Sequence, residues 1–104
     1  SGRYDIKPAL HAVLDRFATT LNQNPVTTVR VVGHTDNAGS DAINNPLSVN
    51  RAAATRDYLV SRGVAGNRIA IDGRGSREPI ADNATAAGKA RNRRVEIFVA
   101  EAPR

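Results

Sequence analysis

Cysteine is absent from this 104-residue chain, which excludes disulfides, a thiolate nucleophile and any cysteine-ligated metal, and leaves the redox compartment open. Aromatic residues are scarce: two Tyr, two Phe and no Trp give little platform for stacking nucleic-acid bases. No apolar run approaches the roughly 20 residues that cross a bilayer, so direct membrane insertion is not expected. Acidic residues are outnumbered, ten to fifteen basic, and thirteen of the basic residues are Arg. The length excludes a multi-domain enzyme and fits one domain with a modest core.

The composition is that of a folding chain, with 40% hydrophobic and 24% charged residues. The formal charge of +5 and a pI near 10.7 point to an anionic partner, and the planar fork of arginine suits carboxylate or phosphate.

From Lys7 the apolar residues Leu10, Val13, Leu14, Phe17, Ala18 and Leu21 fall at helical spacing along one stripe. Asp5 is placed to cap this helix, Pro8 sits in its first turn and Asn24-Pro25 ends it. Val26 to Val32 is β-branched and alternates Val29 and Val31 around Arg30, which predicts a central strand. Gly33 to Ser40 is turn chemistry. A second helix is expected from Ser48, as N-cap, to Gly63 at C′, with Pro46 as a break before it and a short helical turn over Asp41 to Asn45. Arg68 to Asp72 and Arg94 to Ala100 alternate as two further strands, separated by a Gly-, Pro- and Asn-rich stretch with a helical turn around Ala84 to Ala90. This order implies an α/β (α+β) sandwich: a small mixed sheet with two main helices on one face. A further strand ahead of Asp5 would be truncated and would leave a sheet edge open.

The richest polar segment, Gly33-His34-Thr35-Asp36-Asn37-Ala38-Gly39-Ser40, follows a buried strand at its carboxyl end, where α/β sites collect. Arg51, fifteen residues after Asp36, is expected in the first turn of the second helix. The pair has two readings. It can clamp a zwitterion, with carboxylate to ligand ammonium, guanidinium to ligand carboxylate and helix-start amides as extra donors. Alternatively, Asp36 caps a turn and Arg51 makes a helix-surface ion pair.

Hydrolase chemistry is not supported, because there is no G-x-S-x-G elbow. Gly73-Arg74-Gly75-Ser76 lacks the third glycine and following helix of a phosphate loop. His34 and Asp36 alternate, but His11 has no spacing that would complete a metal site, so neither metal nor cofactor is expected.

The chain resembles the OmpA-like C-terminal domain, the peptidoglycan-binding module shared with Pal lipoproteins and the flagellar stator protein MotB. The resemblance spans about residues 5 to 100. It rests on Val31-Val32-Gly33-His34-Thr35-Asp36-Asn37-Ala38-Gly39, on Asn44, Leu47, Ser48, Arg51, Ala52 and Leu59 at the family's spacing, and on Arg62-Gly63-Val64 with Arg68-Ile69. Pro79-Ile80-Ala81-Asp82-Asn83 and Ala90-Arg91-Asn92-Arg93-Arg94-Val95-Glu96-Ile97 complete it. Thr55, where the family usually has valine, and Pro46 depart from the pattern.

The resemblance implies a single non-catalytic domain, residues 1–104, excised from a larger envelope protein. It implies binding to the diaminopimelate of the peptidoglycan peptide stem, with Asp36 holding the ammonium and Arg51 the carboxylate. Thr35 and Asn44 would line the pocket, or else order the loop. Asn92 and Arg93 would close its far side, or else cap a helix end or carbonyls. The implied location is the periplasm of a bacterial envelope, anchoring an outer-membrane protein or lipoprotein, with a homodimer formed through the parent protein. The rival is a basic nucleic-acid- or protein-binding module of the same fold, suggested by Arg91, Arg93 and Arg94. Steep salt dependence of oligonucleotide binding would mark it, although the aromatic count argues against a nucleic-acid partner.

Overall fold

The computed structural model describes residues 8–101. In chain order these form α1 (Pro8–Gln23), β1 (Thr27–Gly33), α2 (Asp41–Ser61), a 3-10 turn (Gly66–Arg68), β2 (Ile69–Gly73), α3 (Ala86–Asn92) and β3 (Val95–Glu101). The sheet order is β2-β1-β3, with β2 parallel and β3 antiparallel to β1, so the strand expected to be central is central and the sheet is mixed. The expected cap Asp5 and any strand ahead of it lie outside the described residues.

Leu14, Ala18 and Leu21 of α1 meet Ala52 and Leu59 of α2 and Val29, Val31 and Ile69 of the sheet in one core, which sets the two long helices on one face. The expected α1 stripe is buried only from Leu14 onward. Leu10 and Val13 remain half exposed because the core contacts begin one turn later. The guanidinium of Arg68 fastens the end of α1 to the start of β1. It donates to the carbonyls of Leu21 (2.9 Å), Asn24 (2.8 Å) and Thr27 (3.0 Å) and to the Thr27 hydroxyl (2.7 Å).

The largest departure from expectation is α2, which starts at Asp41 behind the N-cap position Ser40 and not at Ser48. Pro46 lies inside it. Proline removes one i→i−4 bond, here to Ala42, but the helix persists because Asn44, Leu47 and Ser48 on either side are buried against the sheet. Ser48 has a different role from the expected cap: its hydroxyl donates to the Asn45 carbonyl (2.8 Å) and accepts from the Gly75 amide (2.9 Å). The C-terminus is as expected. Gly63 adopts φ +97, and the bonds from Gly63 N to Val60 O and from Val64 N to Leu59 O form a Schellman motif.

The distance between α2 and the sheet is set by two glycines paired across β1 and β2, Gly33 and Gly73. A Cβ on Gly33 would stand 2.0 Å from the Ser48 carbonyl oxygen, and one on Gly73 2.6 Å from the Val49 amide nitrogen. Backbone meets backbone here, so neither side can yield by changing rotamer. Gly33→Ala is therefore expected to lower unfolding free energy by about 3 kcal/mol, at the upper end of ordinary overpacking. Urea denaturation checks this, and an unchanged midpoint would contradict the close approach.

Candidate functional site

The site is built where β1 ends. Beyond Gly33, the His34 amide donates to the Arg94 carbonyl (2.8 Å) and the Thr35 amide to the Gly75 carbonyl (2.9 Å), so the departing chain is held by both neighbouring strands' extensions. Rigid backbone on both sides delivers Asp36 into the interior, where it is 2% exposed.

Both Asp36 oxygens are engaged. Oδ1 accepts from the Ala38 amide (3.0 Å), the turn-capping bond expected of an aspartate there, and Oδ2 accepts from Arg93 Nη1 (2.6 Å). Burial alone would raise this carboxyl's pKa, but the Ala38 amide and the Arg93 guanidinium, with Lys89 further off, outweigh it and hold the group below its ordinary value. Asp36 is therefore an anion at neutral pH, with lone pairs beyond the two in use.

Arg51, on α2, donates from Nη1 to the His34 carbonyl and feels the charge of the same carboxylate. Burial lowers its pKa, the charge of Arg93 lowers it further and Asp36 opposes both, which leaves a guanidinium still charged at neutral pH. Two guanidiniums thus converge on one carboxylate and repel each other. Arg51 is not in the first turn of α2 as expected. It is the eleventh residue, about 15 Å along the axis at 1.5 Å per residue. The helix-start amides therefore do not accompany its guanidinium, and the local donors are the arginines themselves.

The other expected residues divide. Thr35 is buried and its hydroxyl donates to the Asp36 carbonyl (2.9 Å), which is a loop-ordering contact. Asn44 is 2% exposed in the first turns of α2, and its Nδ2 has no partner among the described residues. Asn92 is fully buried with its amide saturated. Oδ1 accepts from the Ile80 (2.8 Å) and Ala81 (3.0 Å) amides, and Nδ2 donates to Ala81 O (3.0 Å) and Asn83 Oδ1 (2.7 Å). With two donors and two acceptor bonds already used, Asn92 has nothing left for a ligand, so the expectation of a direct contact is corrected to that of a loop fastener. Arg93, by contrast, reaches the Asp36 carboxylate.

His34, on the strand end, is 1% exposed; its Nε2 lies 3.1 Å from Glu96 Oε1, and Glu96 Oε2 accepts from Arg94 Nε (2.9 Å). Burial and Arg94 press its pKa below 6.5, with Glu96 opposing. Below pH 6.5 the unfolded chain therefore takes up a proton that the native one refuses, and stability falls as pH falls through that window. Glu96 and Asp36 have native pKa values below 4.5 and 3.8, so their stabilisation is lost only at lower pH. His34→Gln is expected to flatten the stability profile between pH 6.5 and 5. An unaltered slope in thermal melts across that range would exclude His34 as its source.

Two contributors escaped sequence reasoning. Ser48 was expected to cap a helix but instead joins α2 to the Gly75 loop. Lys89 lies inside an expected helical turn, and its i,i+4 spacing to Arg93 is the only sequence signal that points to it. A cavity of about 380 Å³ lies at the other end of the sheet, lined by Thr28, Arg30, Asn67, Phe98 and neighbours; Arg30 there stacks on Phe98 at 4.7 Å.

Residues 1–93 match the profile of the OmpA family. The peptidoglycan-binding protein ArfA of Mycobacterium tuberculosis is 54% identical over 92 residues, which are 88% of this chain and 28% of that protein. Outer membrane porin F of Pseudomonas aeruginosa is 48% identical over 95 residues, 90% of this chain and 27% of that protein. The chain thus spans less than a third of either relative. The crystal structure of the peptidoglycan-associated lipoprotein from Burkholderia pseudomallei superposes with a TM-score of 0.91 at 28% identity, covering 94% of this chain and 83% of the other.

Proposed function

The chain belongs to the OmpA family, and we propose that it binds peptidoglycan without catalysis, by gripping the free end of diaminopimelate in the peptide stem. The observation that carries this reading is the convergence of Arg51 and Arg93 on the single buried carboxylate of Asp36. A ligand carboxylate entering between the guanidiniums relieves their repulsion and accepts charge-assisted bonds. A ligand ammonium beside it uses the remaining lone pairs of Asp36. The free end of diaminopimelate carries both groups on one carbon. Lysine, which replaces it in other walls, carries an ammonium and no carboxylate, so it leaves the guanidiniums unanswered. Asn44, whose buried Nδ2 has no partner among the described residues, is the further donor that this reading assigns to the ligand.

Two relatives or neighbours carry peptidoglycan in their names, and one is an outer membrane porin. They support the reading that this domain sits in the periplasm and anchors an outer-membrane protein or lipoprotein to the wall. The test is co-sedimentation with purified peptidoglycan of two kinds. The domain is expected to pellet with diaminopimelate-type wall and to remain in solution with lysine-type wall. Equal pelleting with both would remove the diaminopimelate assignment, and no pelleting with either would remove wall binding.

A further inference from the structure

Lys89 and Arg93 lie one turn apart on the same face of α3 and its C-terminal cap, joined by the bond from Arg93 N to Lys89 O (3.1 Å). Arg93 is committed to Asp36. Lys89 is partly buried, yet its ammonium makes no hydrogen bond or ion pair among the described residues. It is close enough to Asp36 to stabilise that carboxylate electrostatically. Arg93 thus contacts the carboxylate directly, Lys89 lies one helical turn before it on the same face, and Arg51 adds a third cation at this end of the fold. A simple zwitterion adds no net charge and leaves that excess unneutralised.

From this juxtaposition of Lys89 with Arg93 and Asp36 we infer a second anionic subsite, in which Lys89 takes a further carboxylate of the same ligand. The ligand class is a peptide bearing at least one carboxylate besides the one held by Arg51. This rests on the stem-binding reading above and extends it: a peptide stem carries carboxylates besides the one at the free end of diaminopimelate. Lys89 acts as a point charge on a flexible stem, so the subsite selects charge more than shape.

The experiment is a cycle between protein and ligand. The probe is the tripeptide L-Ala-γ-D-Glu-diaminopimelate, with all carboxylates free or with the D-Glu or the stem-terminal carboxylate amidated in turn. Each is titrated by NMR against the wild type, Lys89→Met and Lys89→Arg. One of the two amidations is expected to weaken wild-type binding about two- to fivefold, the range of a partly exposed charge pair, and to leave Lys89→Met binding unchanged. Lys89→Arg is expected to keep the discrimination. If the wild type binds and neither amidation distinguishes it from Lys89→Met, the second subsite is overturned while the diaminopimelate grip stands. If the wild type binds none of the peptides, the grip and the subsite both fall. Methionine keeps the helix propensity and the apolar stem, and the backbone amide spectrum verifies that each variant is folded.

Discussion

Arg51→Ala is expected to weaken binding of a diaminopimelate-containing muropeptide by ten- to a hundredfold. A net charge-assisted hydrogen bond contributes about 1.5 to 3 kcal/mol, and each 1.4 kcal/mol is a factor of ten. The fold should survive. Alanine is the best helix former, Arg51 stands in the middle of α2, and its removal ends the repulsion with Arg93. The cost to stability includes the His34 carbonyl contact, the attraction to the Asp36 carboxylate and the packing of the arginine stem. Arg51→Lys should recover little, because an ammonium cannot reproduce the two-pronged approach to a carboxylate. Calorimetric titration of the three proteins decides this. Unchanged affinity in Arg51→Ala would take the ligand carboxylate away from α2.

Asp36→Asn separates charge from shape and should affect both stability and binding. Asparagine can still accept from the Ala38 amide, but the bond to Arg93 loses its charge and the two guanidiniums lose the anion between them. Removing one partner of a fully buried pair costs 3–5 kcal/mol. Arg93 is about a third exposed, so roughly 2 kcal/mol is expected here. The sign with pH follows from the direction of the shift. The native carboxyl sits below 3.8, so its stabilisation is present above that value and is lost as pH falls through the lower native one. The variant should therefore be weaker at neutral pH and lose less below pH 4. Muropeptide binding should fall as well, since the ammonium contact needs the charge. An affinity retained within twofold would show that the carboxylate acts by shape alone.

Much of the fold was legible because its signals are local. Alternation in β1 and β3 and the apolar stripe of α1 each report one buried face. The start of α2 was not legible, since Pro46 is a strong local breaker and Ser48 a strong local cap. Both signals are overridden by packing: Asn44 and Leu47 are buried against the sheet, and the Ser48 hydroxyl is claimed by Gly75 from a segment 27 residues away. The same holds for charge. The arginine excess suggested an anionic partner, yet Arg68 is spent on α1 and β1 carbonyls, and Arg94 on Glu96, Asn92 and Glu78. Only the tertiary arrangement distinguishes these structural arginines from Arg51 and Arg93.

In the site, a strand-end acid and a spaced arginine single out Asp36 and Arg51, but spacing alone leaves open whether they clamp a ligand or cap a turn and form a surface pair. The saturation of Asn92 was not legible, because its partners in the 80–83 loop are irregular backbone with no periodic signature.

The most direct measurement is an NMR titration of the domain with a diaminopimelate-containing muropeptide, using Asp36→Ala and a lysine-containing stem as controls. Saturable shifts are predicted at the amides around Asp36, Arg51 and Arg93, absent in the variant and with the lysine stem. No shifts at millimolar ligand, or shifts confined to the Arg30–Phe98 end of the sheet, would contradict the grip at Asp36.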